Sequence, residues 1–64
     1  MNGFYKQVTQ LLSAAGYSQV KGGKGSHEKW SNENTQHLTT VPKNLKSRHT
    51  ANSILKDCGV NVKV

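Results

Sequence analysis

The sequence predicts an α+β domain of order α-β-β-β-α, in which both helices pack on one face of a three-stranded antiparallel sheet. Two apolar stripes of helical period lie near the two ends of the chain, and short β-compatible segments separated by glycine-rich or polar turns lie between them. Such a sheet is covered on one face and open to water on the other. We interpret residues 1–64 as one domain with a thin core, because a chain this short buries little surface.

The first helix is predicted over residues 3–15. Asn2 is a suitable cap for its start, and Gly16 supplies the left-handed residue that ends many helices. Apolar residues recur at the spacing of one buried helical face. These are Phe4, Val8, Leu11, Leu12 and Ala15.

Three strands come next, predicted at residues 17–21, 26–30 and 35–41. A glycine-rich turn at 22–25 separates the first two, and a polar turn at 32–34 separates the second from the third. Pro42 ends the third strand, which is rich in β-branched residues.

Side-chain alternation assigns the strand residues to the two faces of the sheet. We expect Trp30, Val20 and Leu38 to point to the core, with Glu28 on the same side as Trp30. The open face would then gather histidines and lysines beside the turn that carries Lys24. Its expected members are Gln19, Lys21, His27, Lys29, His37 and Thr39.

The second helix begins after Ser47, a plausible cap, and ends at Gly59. Its apolar stripe includes Cys58, which we interpret as a buried structural cysteine. The tail at 60–64 alternates like a strand and either docks on the sheet edge or frays. The stripe consists of Ala51, Ile54, Leu55 and Cys58.

The charge balance favours a polyanionic partner. The sequence has nine Lys and Arg residues and three acidic residues, which gives a formal charge of +6. Nucleic acid is the first candidate, an anionic membrane the second and an acidic protein the third, while solubility alone is the plain alternative. A single cysteine rules out an internal disulfide, and no stretch resembles a membrane span or a signal peptide, so we expect a cytoplasmic protein.

No cofactor or metal is predicted. The three histidines are ten and twelve positions apart, without a close pair of ligands. The segment from Gly22 to Ser26 lacks the residue order of a P-loop, so a hairpin turn is the better interpretation. His49, near a helix start, is interpreted as a surface residue.

RNA cleavage is the chemistry that fits a basic site with histidine. A base deprotonates the ribose 2′-OH, and an acid protonates the departing 5′-oxygen; histidine suits both tasks. Cations hold the phosphate and stabilise its developing charge. The residues alone do not select one of the three histidines for this role. The residues expected to contact RNA are Lys21, Lys24, Gly25, Ser26 and Lys29.

The chain resembles the HicA toxins. The resemblance lies in ordered short motifs that cover nearly the whole chain. These are Val8–Leu12 with Gly16-Tyr17, Lys24-Gly25-Ser26-His27 followed by Trp30, Val41-Pro42, and Ser53-Ile54-Leu55-Lys56-Asp57-Cys58-Gly59.

The resemblance implies a fold like that of double-stranded-RNA-binding domains. It also implies metal-independent cleavage of messenger RNA, with His27 matching the catalytic histidine of the family, and a HicB antitoxin that covers the active surface. The runs 43–46 and 48–50 depart from the family pattern, so we assign no RNA contact to this connector.

The sequence leaves two questions open. A hairpin closed by residues 32–34 sets His37 opposite Lys29 and His27 opposite Thr39, which makes His37 a candidate second acid or base. A noncatalytic double-stranded-RNA-binding module, or a small basic DNA-associated protein, would need only the fold and the lysines.

Overall fold

The computed structural model, which describes residues 3–23 and 25–64, has the predicted order α-β-β-β-α. The three strands form one antiparallel sheet in the order β1-β2-β3. The elements are α1 (Tyr5–Ala14), β1 (Tyr17–Val20), β2 (His27–Asn32), β3 (Leu38–Pro42) and α2 (Arg48–Asp57). Within the described ranges, neither helix is long and apolar enough to cross a membrane.

Helix α1 is shorter than predicted at its start. Phe4 occupies the cap position without a side-chain cap, and its N–H donates to the Leu45 carbonyl oxygen at 2.6 Å. The chain leading into the helix is therefore held by the connector before α2. Asn2, the predicted cap, lies outside the described residues. At the other end Gly16 has a φ of 96°, the left-handed conformation predicted for it.

Helix α2 is capped as predicted. The Ser47 hydroxyl oxygen accepts a hydrogen bond from the Thr50 N–H at 3.2 Å, and Gly59 follows the helix with a φ of 77°. The tail after it forms no strand, contrary to its alternating pattern. Instead it lies along α2, where the Val64 N–H donates to Asn52 Oδ1 at 2.8 Å.

The core is one cluster to which both helices and the inward face of the sheet contribute. This arrangement is compatible with the predicted placement of both helices on one face of the sheet. Its buried members are Val8, Leu12, Tyr17, Trp30, Val41, Leu45, Ala51 and Leu55.

The buried carboxylate of Glu28 connects α1 to the central strand through hydrogen bonds. Glu28 is 7% exposed, and its Oε1 accepts hydrogen bonds from the Tyr5 hydroxyl at 2.7 Å and from Trp30 Nε1 at 3.2 Å. The hydrogen bond to this carboxylate raises the pKa of the Tyr5 hydroxyl. Glu28 and Trp30 thus point inward, as the alternation predicts.

The predicted pairing of β2 with β3 is wrong by three residues. Asn32 Oδ1 accepts hydrogen bonds from the N–H groups of Asn34 and Thr35, at 2.7 and 3.0 Å, and the Asn32 N–H donates to the carbonyl of His37. These bonds extend the turn to His37 and start β3 at Leu38. Lys29 therefore lies opposite Thr40 and not opposite His37.

A shift by an odd number of residues exchanges the two faces of β3. Leu38 pairs with Ser31 on the open face and is 52% exposed, whereas Thr39 pairs with inward-pointing Trp30. The predictions of Leu38 inward and Thr39 outward are both wrong. The fully buried residue of β3 is Val41.

The inward and open faces of β1 are also exchanged relative to the prediction. Tyr17 is only 4% exposed, so Gln19 shares its side of the strand, opposite Trp30. Val20, expected inward, lies on the open face opposite Lys29 and is 37% exposed. The large Tyr17 ring buries more apolar surface than Val20 would, and this decides which way the strand faces.

Two leucines, one buried on α1 and one exposed on β3, form a matched pair for a stability measurement. Leu12→Ala should lower the free energy of unfolding by roughly 2–5 kcal/mol, because Leu12 is fully buried. Leu38→Ala should change it by no more than about 0.5 kcal/mol, because Leu38 is exposed. Urea unfolding followed by circular dichroism gives both values. Similar losses in the two variants would contradict the described pairing of β3.

Candidate functional site

His27 is the first residue of β2, is exposed, and lies on the open face of the sheet opposite Pro42. Its position is set by its neighbours, because Glu28 and Trp30 are held inward and the residues that alternate with them must point outward. Lys29 lies on the same face two residues further along and is half-buried. A histidine and a lysine are therefore adjacent on one exposed surface.

Two shallow depressions meet at His27. One is bounded by the end of β1, the glycine turn and the residue after β3; among its lining residues are Lys21, Gly25 and Lys43. The other has a volume of about 370 Å³. It is lined by Gly22, Gly23, His27, Lys29 and Thr40.

The structure thus brings together most of the predicted RNA-binding residues. Lys21, Gly25 and Lys29 each share a depression with His27. Ser26 precedes His27, and its carbonyl oxygen accepts a hydrogen bond from the Lys43 N–H at 2.6 Å. Lys24 lies outside the described residues.

The turn between β1 and β2 packs so closely on the sheet that it needs glycine. At Gly23 a Cβ atom would overlap the carbonyl oxygen of His27. Gly22 has a φ of 115°, and a Cβ there would lie 3.5 Å from Lys29 Nζ. Gly22 and Gly23 therefore pack closely on β2, and the Lys29 side chain lies beside Gly22.

Lys43 and Thr40 are site residues that the sequence interpretation did not select. Pairing of His27 with Pro42 places Lys43 next to His27, although the connector was assigned no RNA contact. Thr40 lies opposite Lys29. No local pattern marks either residue, because their places beside Lys29 and His27 follow from the register of β3 on β2.

The charged side chain among the described strand residues of the open face is that of Lys29, which is positive. Glu28 is buried on the inward face, Glu33 lies in the turn beyond β2, and Asp57 contacts His37. The strand residues described on the open face therefore include no carboxylate. A site of this charge favours an anion.

His37 lies away from His27. The Tyr17 hydroxyl and His37 Nδ1 are joined by a hydrogen bond of 2.7 Å, and His37 Nε2 lies 3.3 Å from Asp57 Oδ2 at the end of α2. Its carbonyl accepts from Asn32, the last residue of β2, whereas His27 is the first; that is roughly 16 Å along the strand. The expectation that both histidines share one face is wrong, because the turn is longer than predicted.

Cys58, His37 and His49 line neither of the two depressions at His27. Cys58 is half-buried, and burial raises the pKa of its thiol, which fits a structural cysteine. Among residues 3–23 and 25–64, no three His, Cys, Asp or Glu side chains come together as a metal site requires. A cavity of about 480 Å³ between α2 and the tail contains His49 and none of the predicted site residues.

The fold and site define a small basic α-β-β-β-α protein with a histidine and a lysine on an open sheet face and two further lysines beside that histidine. The family model described as the HicA toxin of bacterial toxin–antitoxin systems matches residues 5–60, and the chain belongs to that family. Membership implies an antitoxin as partner. No curated protein and no solved structure matches the chain.

The buried tyrosine beside His37 predicts a loss of stability at alkaline pH. Burial, with smaller contributions from Cys58 and Asp57, raises the pKa of Tyr17 to about 12. A raised pKa in the folded state stabilises the fold below the ordinary tyrosine pKa of about 10. This stability is lost as the pH rises from there through about 12.

Urea unfolding of the wild type and of Tyr17→Phe at pH 8, 10, 11 and 12 measures this contribution. The wild type should lose more stability than Tyr17→Phe between pH 10 and 12, because phenylalanine does not ionise. Other titrating groups are common to both proteins and cancel in the comparison. Parallel losses would show that Tyr17 ionises no differently in the folded and unfolded chains.

Proposed function

We propose that the chain is an endoribonuclease, an mRNA interferase, in which His27 activates the ribose 2′-OH. The observation that carries the proposal is the exposed His27 on an open sheet face, with Lys29, Lys21 and Lys43 around it and no carboxylate among the described strand residues of that face. Membership of the HicA toxin family supports it. A HicB-type antitoxin would neutralise the toxin in the cytoplasm by covering this face.

The reaction is a transesterification within the RNA chain. His27 takes the proton of the 2′-OH, the 2′-oxygen forms a bond to the adjacent phosphorus, and the bond from phosphorus to the 5′-oxygen breaks. The products are a 2′,3′-cyclic phosphate and a 5′-hydroxyl, whose proton comes from the protonated His27 or from water. No metal is needed for this sequence of steps.

Lys29 is the residue best placed to stabilise the phosphate as its charge increases. It lies on the same face as His27 and lines the same depression. Its aliphatic stem packs against the glycine turn, which restricts where the ammonium group lies. Restricted donors stabilise a transition state better than mobile ones.

Because His37 lies elsewhere, a single histidine serves this site. A matched pair of acid and base gives faster proton transfer than one residue that must do both tasks. We therefore expect slow turnover in comparison with ribonucleases that use two histidines.

Cleavage of a labelled single-stranded RNA in EDTA tests the proposal. His27→Ala should lower the cleavage rate by roughly 10²–10⁴-fold, the contribution typical of a general acid–base residue. His49→Ala is the matched control, since His49 is an exposed histidine on α2 away from the site. The wild-type products should carry cyclic phosphate and 5′-hydroxyl ends.

Equal cleavage by the wild type and His27→Ala would reject the proposed role of His27. Loss of all cleavage when EDTA is added would reject the metal-independent mechanism. Salt-sensitive RNA binding without cleavage by either protein would favour the noncatalytic double-stranded-RNA-binding module.

The role of Lys29 has its own test. Lys29→Gln should lower kcat by about 10²-fold, as removal of one donor to a developing negative charge does in other enzymes. Lys6→Gln removes the same charge from an exposed position on α1 and should leave kcat within about 2-fold. Equal effects of the two substitutions on kcat would show that Lys29 acts only through the overall charge of the protein.

A further inference from the structure

Two large apolar side chains lie exposed on the same sheet face as His27. Val20 on β1 is 37% exposed and Leu38 on β3 is 52% exposed. Val20 is paired with Lys29, and Leu38 with Ser31, so they flank the central strand on its two sides. They lie on the part of the face next to the cationic end that carries His27.

We propose that this face is a binding track for single-stranded RNA, with the scissile phosphate at His27 and Lys29 and the bases of adjoining nucleotides on Val20 and Leu38. The inference rests on the proposed function and adds the residues that bind the bases beside the cleaved bond. The track consists of the open-face residues Val20, His27, Lys29, Ser31, Leu38 and Thr40.

The order of groups along β2 fits an RNA chain. His27, Lys29 and Ser31 lie one after another on the same face, about 6.6 Å apart, which is comparable to the repeat of an extended nucleotide chain. Cations at one end suit phosphates, and hydroxyl and apolar groups beyond them suit sugars and bases. An acidic protein segment could bind the lysine side chains. It would not explain why they lie next to His27.

The apolar pair favours unpaired bases. In a duplex the bases are stacked and paired, so a side chain on the outside meets the sugar–phosphate backbone. Unpaired bases can turn their apolar faces to Val20 and Leu38 and cover them. A single strand also bends freely enough to align the 2′-oxygen, the phosphorus and the 5′-oxygen for in-line attack, which the A-form helix resists.

The pair would contribute to binding and not to the chemical step. Neither side chain carries a group that moves a proton or contacts a developing charge. Their loss should therefore raise KM and leave kcat nearly unchanged. The expected size is a roughly 5- to 10-fold increase in KM, as for the loss of a few tens of Å² of apolar contact.

The experiment compares the wild type, the double variant Val20→Ser/Leu38→Ser and the control Val62→Ser. Val62 is a 48% exposed valine in the tail, away from the track. The substrate is a labelled RNA of about 15 nucleotides, used alone and annealed to its complement. We expect the wild type to cleave the single strand at least about 10-fold faster than the duplex, and only the double variant to show the raised KM.

Binding is measured in parallel with His27→Ala protein, with and without the Val20 and Leu38 substitutions, by fluorescence anisotropy. This readout does not need cleavage, so it separates the two proposals. A roughly 5- to 10-fold weaker Kd for the double substitution supports the track even if no protein cleaves RNA. Unchanged KM and Kd overturn the track even if His27 is catalytic.

Two further outcomes are decisive. Equal cleavage of single strand and duplex would overturn the binding of unpaired bases to Val20 and Leu38. Loss of binding to the cognate antitoxin by the double variant, with KM for RNA unchanged, would assign Val20 and Leu38 to the protein partner and overturn the track. Thermal unfolding followed by circular dichroism confirms that each variant is folded.

Discussion

The carboxylate of Glu28 lies inside the domain, and the orientation of the site depends on how that charge is accommodated. A buried carboxylate is costly unless it is hydrogen-bonded. Tyr5 from α1 and Trp30 from the same strand supply the bonds. Because both require Glu28 to point inward, the strand cannot slip by one residue without losing them. His27 and Lys29, the neighbours of Glu28 on either side, are held on the open face by the same constraint.

The helices were predictable because their signals are local. The apolar stripe, Ser47 as a cap and the glycines at 16 and 59 each act within a turn or two of chain. The start of α1 was misplaced because Phe4 is fixed by a backbone hydrogen bond to Leu45, a contact about forty residues away that no local pattern reveals. The tail was misread for a similar reason, since Asn52 of α2 holds Val64.

The strand faces were predicted correctly where a large buried residue decides them and incorrectly elsewhere. Trp30 fixed the alternation of β2, so the placement of His27 and Lys29 on the open face was correct. On β1 the prediction placed Val20 inward and did not consider Tyr17, whose larger ring is the buried one. On β3 the outcome depends on the side chain of Asn32, which lengthens the turn. The predicted register had wrongly placed His37 at the site. Lys43 was not selected because no RNA contact was assigned to the connector.

The sheet keeps the order of its strands in the chain, β1-β2-β3, and each strand is joined to the next by a short turn. Neighbours in space are thus mostly neighbours in sequence, which keeps the entropy lost on closing each loop small. Proteins with such local contacts fold faster than those built from distant pairings. We therefore expect this chain to refold quickly after unfolding, which shortens the time for which the surface around His27 is absent.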